Sequence, residues 1–205
     1  ALQFVSQGQS KLISWIKRRF EAAGKEIDNA TAQRLVFISG DLMNSLIPEI
    51  EKIAAYAKGR TILPEDVEAV ANHIPEADVF EMVNLISEKK YNAALHLLSE
   101  LLSNKENAPV GILAFISSQF RRLYGVKLAL KEGRRRPDIM GMLNIRYDFI
   151  ADKLIASAGK FSLSRLAAIV QNCAEAEYSM KSSGGNDTEV LKTLVIRLMA
   201  GEQNG

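Results

Sequence analysis

The chain has 205 residues, of which 47% are hydrophobic and 24% are charged, and its formal net charge is +2. This composition excludes wholesale disorder, and with a charge so near balance any nucleic-acid binding must rest on local patches. No apolar run reaches the roughly 20 residues that a membrane-spanning helix needs, and no signal-peptide pattern opens the chain. The single cysteine, Cys173, excludes an internal disulfide, so we expect a soluble protein of the reducing cytoplasm.

The first two helices are predicted from apolar residues at helical spacing. The chain begins at Ala1 without an initiator Met, inside what reads as an amphipathic helix, so we expect a fragment whose N-terminal part is missing. The basic turn 17–19 on the first helix reads as a phosphate contact or as a solvated helix face, and the shortness of the run favours the solvated face. Asn29 or Thr31 is expected to cap a second helix, which Gly40 closes. The apolar positions of the first helix are Leu12, Ile13, Trp15, Ile16 and Phe20.

A third helix, between Gly40 and Gly59, has the clearest amphipathic pattern in the chain. We predict Asp41 as its N-cap and Gly59 as the residue whose left-handed conformation ends it. Pro48 removes one backbone donor and should bend or interrupt this helix near Asn44. The polar residues that fall mostly between its apolar positions, and are therefore expected to face solvent, are Asp41, Asn44, Glu49, Glu51, Lys52 and Lys58.

A fourth, short helix should start at Pro64, because proline is tolerated at the first helical position, and should end before Pro75. Glu65 and Asp66 suit the positively polarised first turn of that helix. Four helices up to Ile74 make one compact set, so we expect two domains, 1–74 and 75–205.

The second part of the chain also reads as helical, and no segment shows the alternation of a strand, so the predicted fold class is all-α. A long helix over 112–130 should end at Gly133, and Pro137 should start the next. Asn186 and Glu189 have capping-box spacing, and the segment SSGGND before them is expected to be a flexible connection. The other predicted helices cover 79–86, 91–102, 147–158, 163–180 and 187–199.

The chain lacks the sequence patterns of common catalytic and cofactor sites. It has no Gly-rich phosphate loop and no dinucleotide fingerprint. His73 and His96 are far in sequence from each other and from Cys173, so no metal site is predicted. Glu49 and Glu51 point to different faces of one helix, which argues against a general acid–base pair. We therefore predict no catalytic residues, no cofactor and no metal.

The densest positive charge lies at Arg134, Arg135 and Arg136. Guanidinium groups form bidentate hydrogen bonds to phosphate oxygens, so these residues are candidate DNA or phosphate contacts. A solvated loop is the alternative.

Short segments in a fixed order carry a resemblance to a known family. They are Trp15 and Ile16, GDLMNSLIPEIEKIAAYAKG (40–59), ILPEDV (62–67), VFEMVNLI (79–86), AALHLLSELL (93–102), ILAFISSQFRRLY (112–124), FSLSRLAAIV (161–170), and Met180, Lys181, Leu191, Leu194 and Leu198. In their order and spacing the chain resembles the delta subunits of the bacterial DNA polymerase III clamp loader, after the first domain of that family. It departs from the family at Pro48, and at Leu63, where a capping Thr or Ser is more usual.

The resemblance implies an AAA+ protein without its RecA-like first domain, in which 1–74 is a helical lid and 75–205 is the helical-bundle collar that assembles the loader ring. It implies a noncatalytic subunit whose partners are the tau/gamma ATPases, delta prime and primer–template DNA, with no membrane. The beta sliding clamp would be contacted through the missing first domain. Lys181 joins the arginines as a candidate phosphate contact, and the candidate subunit-interface residues are Arg121, Arg122, Tyr124 and Lys127.

Two other interpretations remain open at the level of sequence. One is an all-helical adaptor that binds another protein and is unrelated to replication. The other is a helical DNA-binding domain, but the charges are scattered, whereas a recognition helix needs a concentrated basic face.

Overall fold

Helices make up almost all the regular structure of residues 9–182 and 186–200, which are the residues that the computed structural model of the protein describes. The all-α prediction is therefore confirmed. The elements in chain order are α1 (Gln9–Ala22), β1 (Glu26–Ile27), α2 (Asn29–Ser39), α3 (Met43–Tyr56), β2 (Thr61–Ile62), α4 (Pro64–Val70), α5 (Pro75–Ser87), α6 (Tyr91–Ser103), α7 (Pro109–Lys131), α8 (Arg136–Met142), α9 (Asp148–Gly159), α10 (Leu163–Ser182) and α11 (Asp187–Ala200). The chain divides into two compact units, unit 1 (Ala1–Ala77) and unit 2 (Asp78–Gly205).

Unit 1 packs α1 to α4 around one apolar core. Its largest fully buried side chains are Ile16, Phe20, Leu35, Leu46, Ile53 and Ile62. The two short strands pair in parallel, with Glu26 opposite Thr61. Lys25 strengthens this connection, because its ammonium donates to the carbonyl oxygens of Ala57 at 2.6 Å and Gly59 at 2.7 Å. The strands were not predicted from the sequence, because two residues are too few to show the alternation of a strand.

The ends of α2 partly match the prediction. Its N-cap is Asp28, whose carboxylate accepts from the Thr31 amide at 2.6 Å, so the prediction of Asn29 or Thr31 as the cap was wrong. That hydrogen bond stabilises the carboxylate and lowers the pKa of Asp28. Gly40 closes the helix as predicted, with φ of 86°, a conformation that glycine adopts without strain.

Both predicted ends of α3 were wrong. The helix begins at Met43 after an extended Leu42, so Asp41 lies one residue too early to cap it. It ends at Tyr56, because Ala57 is extended and buried and its carbonyl accepts from Lys25. The helix continues through Pro48, so the predicted interruption does not occur.

The short helix α4 begins at Pro64, as predicted, and ends at Val70. Leu63 occupies the N-cap position without a side-chain acceptor. The Asp66 carboxylate supplies a bond there instead, accepting from the Leu63 amide at 2.9 Å.

Unit 2 is arranged around α7, which packs against α9, α10 and α11. Phe120 of α7 is fully buried and meets Phe161 edge-to-face, with ring centroids 6.2 Å apart. After α7, Gly133 has φ of 72°, in agreement with its predicted role as a helix stop. The helix α8 starts at Arg136, one residue before Pro137.

Buried polar side chains join α5 to α9 in unit 2. The Ser157 hydroxyl donates to Asn84 Oδ1 at 3.0 Å and lies 3.3 Å from the Ser87 hydroxyl.

At the start of α11, Asn186 Oδ1 accepts from the Thr188 amide at 3.1 Å, so Asn186 caps the helix. The predicted flexible connection includes residues 183–185, which lie outside the described residues.

Candidate functional site

The four residues predicted for a subunit interface lie on α7, beside its buried stripe. Arg121 is exposed, whereas Arg122, Tyr124 and Lys127 are half-buried. The Lys127 ammonium lies 3.4 Å from the carbonyl oxygen of Gly159 at the end of α9. The face is therefore partly engaged within unit 2, and Arg121 is its most accessible member.

One carboxylate interacts with a predicted phosphate contact and with a predicted subunit-interface residue. The Glu177 carboxylate on α10 accepts from the Lys181 ammonium at 2.6 Å. Lys181 lowers the pKa of Glu177 through this bond, and the positive charge of Arg121 contributes to the same shift. The predicted phosphate contact Lys181 and the predicted interface residue Arg121 thus share a charged surface on α7 and α10.

The three consecutive arginines have different surroundings. The guanidinium of Arg136 binds Asp152 through two hydrogen bonds of 2.7 Å and 3.3 Å and lies 3.1 Å from Asp148. These carboxylates, Asp152 first, raise the pKa of Arg136 and tie the start of α8 to α9. Arg134 lies 3.6 Å from Glu132, and the exposed side chain of Arg135 has no ion pair among the described residues. The first two arginines are therefore more available to an external phosphate than Arg136.

An open groove of about 320 Å³ runs between α10 and α11. Its lining residues are Asn172, Glu175, Ala176, Ser179, Glu189, Val190, Thr193, Leu194 and Arg197. Tyr178 and Ile196, which adjoin lining residues in sequence, are 74% and 55% exposed. The groove has mostly polar walls, and the two helices that form it also carry these two large exposed apolar side chains outside the groove lining, a combination that suits a protein partner.

Interface residues were predicted from the sequence only on α7, so these two residues on α10 and α11 were missed. A signal for Ile196 was present, because the buried positions Leu191, Leu194 and Leu198 define one stripe of α11 and Ile196 lies off it. An apolar residue off the buried stripe is exposed unless another chain covers it. Tyr178 is similarly absent from the buried positions of α10.

Arg165 at the start of α10 holds the end of α11, and so positions one side of the groove. Its guanidinium donates to the carbonyl oxygens of Leu198 at 2.7 Å and Arg197 at 3.3 Å. The last carbonyls of a helix lack partners within the helix, so the arginine satisfies two of them.

Reactive chemistry is sparse in the part of the chain that the structure describes. Cys173 is buried, and burial raises the pKa of its thiol to about 11. His73, which follows α4, lies 3.9 Å from Glu68 of that helix. His96 lies 3.5 Å from Glu100, and both belong to α6. No three His, Cys, Asp or Glu side chains within the described ranges are grouped to hold a metal ion. Among the same residues, no helix has the length and apolar character to cross a membrane.

Comparisons with known proteins converge on one family. A family model described as "DNA polymerase III delta subunit, C-terminal domain" matches residues 76–198. The chain is 27% identical to the DNA polymerase III subunit delta of Bacillus subtilis over 176 residues, which are 85% of this chain and 50% of that protein. It is 29% identical over 140 residues to a probable DNA polymerase III subunit delta of Aquifex aeolicus, covering 67% of this chain and 40% of that protein.

The fold has a counterpart among solved structures. The DNA clamp loader delta protein of Bacillus subtilis aligns with a TM-score of 0.71 at 23% identity, over 95% of this chain and 57% of that one. The present chain spans about half the length of the curated relatives it matches.

Proposed function

The chain belongs to the DNA polymerase III delta subunit family, and from this premise we propose that it is a noncatalytic subunit of the bacterial clamp loader. In this role it helps to load the beta sliding clamp onto primed DNA during replication. The observation that carries the proposal is the match of residues 76–198, most of unit 2, to the C-terminal domain of the family. No residue of this chain is assigned a catalytic role.

The proposal gives the two parts of the chain different tasks. Residues 75–205 act as the collar, through which the subunit joins the loader ring with the tau/gamma ATPases and delta prime. Residues 1–74 act as an AAA+ lid that couples the ring to the first domain implied by the resemblance, and contact with the beta clamp is left to that domain. The long α7 and the open α10–α11 groove support a scaffold role for the collar.

We assign the assembly surface to α7, α10 and α11. Tyr178 and Ile196 supply exposed apolar area on α10 and α11, and Arg121 with Lys181 supply charge around Glu177 on α7 and α10. An interface core of aromatic and aliphatic groups with a charged rim is the usual composition of a specific protein–protein contact.

Size-exclusion mixing with the tau/gamma ATPases and delta prime tests this assignment. The unsubstituted chain should co-elute with them, and Ile196→Asp should weaken that complex at least about tenfold, because a charge would be buried at the contact. Met142→Asp is the matched control, since Met142 is 59% exposed on α8, outside the proposed surface. Failure of the unsubstituted chain to bind the ATPases would count against the whole proposal. Equal behaviour of the two variants would contradict only the assignment of the assembly surface to α10 and α11.

Contact with primer–template DNA is a separate part of the proposal, and it involves Arg134, Arg135, Arg136 and Lys181. The carboxylates around Arg136 make Arg134 and Arg135 the members to test. Each lost phosphate contact should reduce the slope of log affinity against log salt by about 0.9. Arg134→Gln with Arg135→Gln should therefore flatten the slope for loader–DNA binding, while Arg146→Gln, at another exposed arginine, should not. An unchanged slope in the double variant would show that these two residues do not contact DNA phosphates.

A further inference from the structure

We propose that the outer face of α1, in unit 1, binds single-stranded nucleic acid. An open groove of about 430 Å³ lies along this face. It is lined by Ser10, Lys11, Leu12, Ser14, Trp15, Arg18 and Met43. The proposal stands on the geometry of α1 and does not depend on the assembly of a loader ring. It also concerns residues distinct from Arg134–Arg136.

The groove is lined by cations at helical spacing. Lys11 and Arg18 are exposed and seven residues apart, so they lie on one face of α1 about 10 Å apart along its axis. Two cations at this separation can contact different phosphates of one strand. Ser14 and Trp15 lie between the two cations on the same face.

The cations of this face are not held in ion pairs, although the exposed Glu21 follows Arg18 by three residues on the same helix. Among the described residues neither Lys11 nor Arg18 forms an ion pair, and residues 1–8 contain no Asp or Glu. Elsewhere in unit 1, Arg60 pairs with Glu26 at 2.7 Å. An anion that reaches the α1 face therefore meets two cations that do not have to be released from an existing ion pair.

Trp15 supplies the second element of a nucleic-acid surface. It is half-buried and lines the groove, while Ile16 and Phe20 of the same helix are fully buried in the core. The Arg19 guanidinium lies over the indole, 5.4 Å from the ring centroid. Aromatic rings and guanidinium planes interleaved with cations bind single strands, because bases stack on the planes while the cations follow the phosphates. An acidic polypeptide would engage the cations but has no base to stack on the indole, so a nucleic acid fits this face better.

The fluorescence of Trp15 offers a direct test, because this is the only tryptophan in the chain. Titration of the full chain with an oligothymidylate of about 15 nucleotides should quench the emission saturably, and the affinity should fall as salt is added. K11Q with R18Q should weaken the apparent affinity at least about tenfold, because two phosphate contacts are lost. K58Q with K105Q carries the same change of net charge at exposed lysines outside the groove and should leave the affinity unchanged.

A second measurement removes the aromatic group. Trp15→Leu, followed by anisotropy of the labelled oligonucleotide, should weaken binding by about fivefold or more, since base–aromatic stacking contributes about 1–3 kcal/mol per base. Circular dichroism of each variant should match that of the unsubstituted chain, which separates lost binding from lost folding. Co-elution of K11Q/R18Q with the ATPase subunits should be unchanged, so this proposal and the proposed loader function fail separately.

Four outcomes would overturn the proposal. They are absence of quenching by the oligothymidylate, equal weakening by K58Q/K105Q, equally tight and equally variant-sensitive binding of polyglutamate, and tighter binding of duplex DNA than of the single strand. The polyglutamate result would indicate an acidic protein partner, and the duplex result would indicate recognition of the paired backbone.

Discussion

The two units hold their chain segments together in different ways. In unit 1 the segment after α4 is fixed by side chains from other helices: the buried Glu49 carboxylate accepts from the Asn72 amide at 2.9 Å, and the Ser39 hydroxyl donates to the Asn72 carbonyl at 2.8 Å. Lys52 pairs with Glu49 at 2.7 Å. Unit 2 instead surrounds the long helix α7 with apolar contacts from α9, α10 and α11. Unit 1 should therefore be more sensitive to the loss of specific polar groups, and unit 2 to the loss of core volume.

Each unit carries its own spectroscopic or chemical reporter, which makes this comparison measurable. Trp15 lies in unit 1 and is the only tryptophan, so its emission follows the unfolding of that unit. Cys173 lies buried in unit 2, and because its pKa is raised to about 11 its thiol is almost wholly protonated at pH 8. Its labelling by a thiol reagent at pH 8 should therefore require the opening of unit 2.

The largest effect is expected from a cavity in unit 2. Phe120→Ala removes a fully buried ring and should lower the free energy of unfolding of unit 2 by about 3–5 kcal/mol. Labelling of Cys173 in denaturant should shift to lower concentration, while the midpoint of Trp15 emission stays in place. Leu130→Ala is the control, because Leu130 on the same helix is 36% exposed. A parallel shift of the Trp15 midpoint would break the comparison by showing that the units unfold together.

The next effect is expected from a polar group in unit 1. Glu49→Ala leaves the Asn72 amide without its acceptor and should destabilise unit 1 by about 1–3 kcal/mol. Denaturation followed by Trp15 emission measures this change. Glu51→Ala, two residues along the same helix and exposed, should change the midpoint little. If both variants behave alike, the bonds to Asn72 do not stabilise unit 1.

A smaller effect is expected at the end of α11. Arg165→Met keeps much of the side-chain volume but removes the donors to the Leu198 and Arg197 carbonyls, and should destabilise unit 2 by about 1–2 kcal/mol. Hydrogen exchange should accelerate most in the last turn of α11. Arg146→Met, at an exposed arginine, serves as the control. Uniform exchange along α11 would contradict a capping role.

The smallest effect is expected from the surface ion pairs of Arg136. Because the guanidinium and its carboxylate partners are exposed to solvent, Arg136→Gln should leave the Cys173 labelling midpoint almost unchanged at physiological salt. A shift comparable to that of Arg165→Met would show that unit 2 depends on surface charge as well as on its core. It would therefore weaken the contrast between the two units.

The features that the sequence predicted correctly are those decided within a few residues. Gly40 ends α2 and Pro64 begins α4 because the conformations of glycine and proline are local properties. The C-terminal end of α3 was mispredicted because it depends on a distant group. Ala57 leaves the helix where Lys25, 32 residues earlier in the chain, binds its carbonyl oxygen.

The same limit applies to functional and polar residues. Glu49 was assigned to the solvent side of α3 from its position between apolar residues, but it is buried, because its partner Asn72 lies 23 positions away. The chain position of Arg136 marked it as part of a basic patch, whereas its carboxylate partners Asp148 and Asp152 come from the following helix α9. The α10–α11 groove arises from the packing of two helices, so the sequence pattern of either helix alone does not show it.

The short parallel strands of unit 1 have a consequence for the order of folding. They join positions 26 and 61, so the pairing closes a loop of about 35 residues that contains α2 and α3. Closing such a loop costs roughly 3 kcal/mol of chain entropy, more than two backbone pairs return. The helices α2 and α3 must therefore dock before the strands pair. The strands should form after the rate-limiting step, and weakening them should accelerate unfolding while leaving the folding rate nearly unchanged.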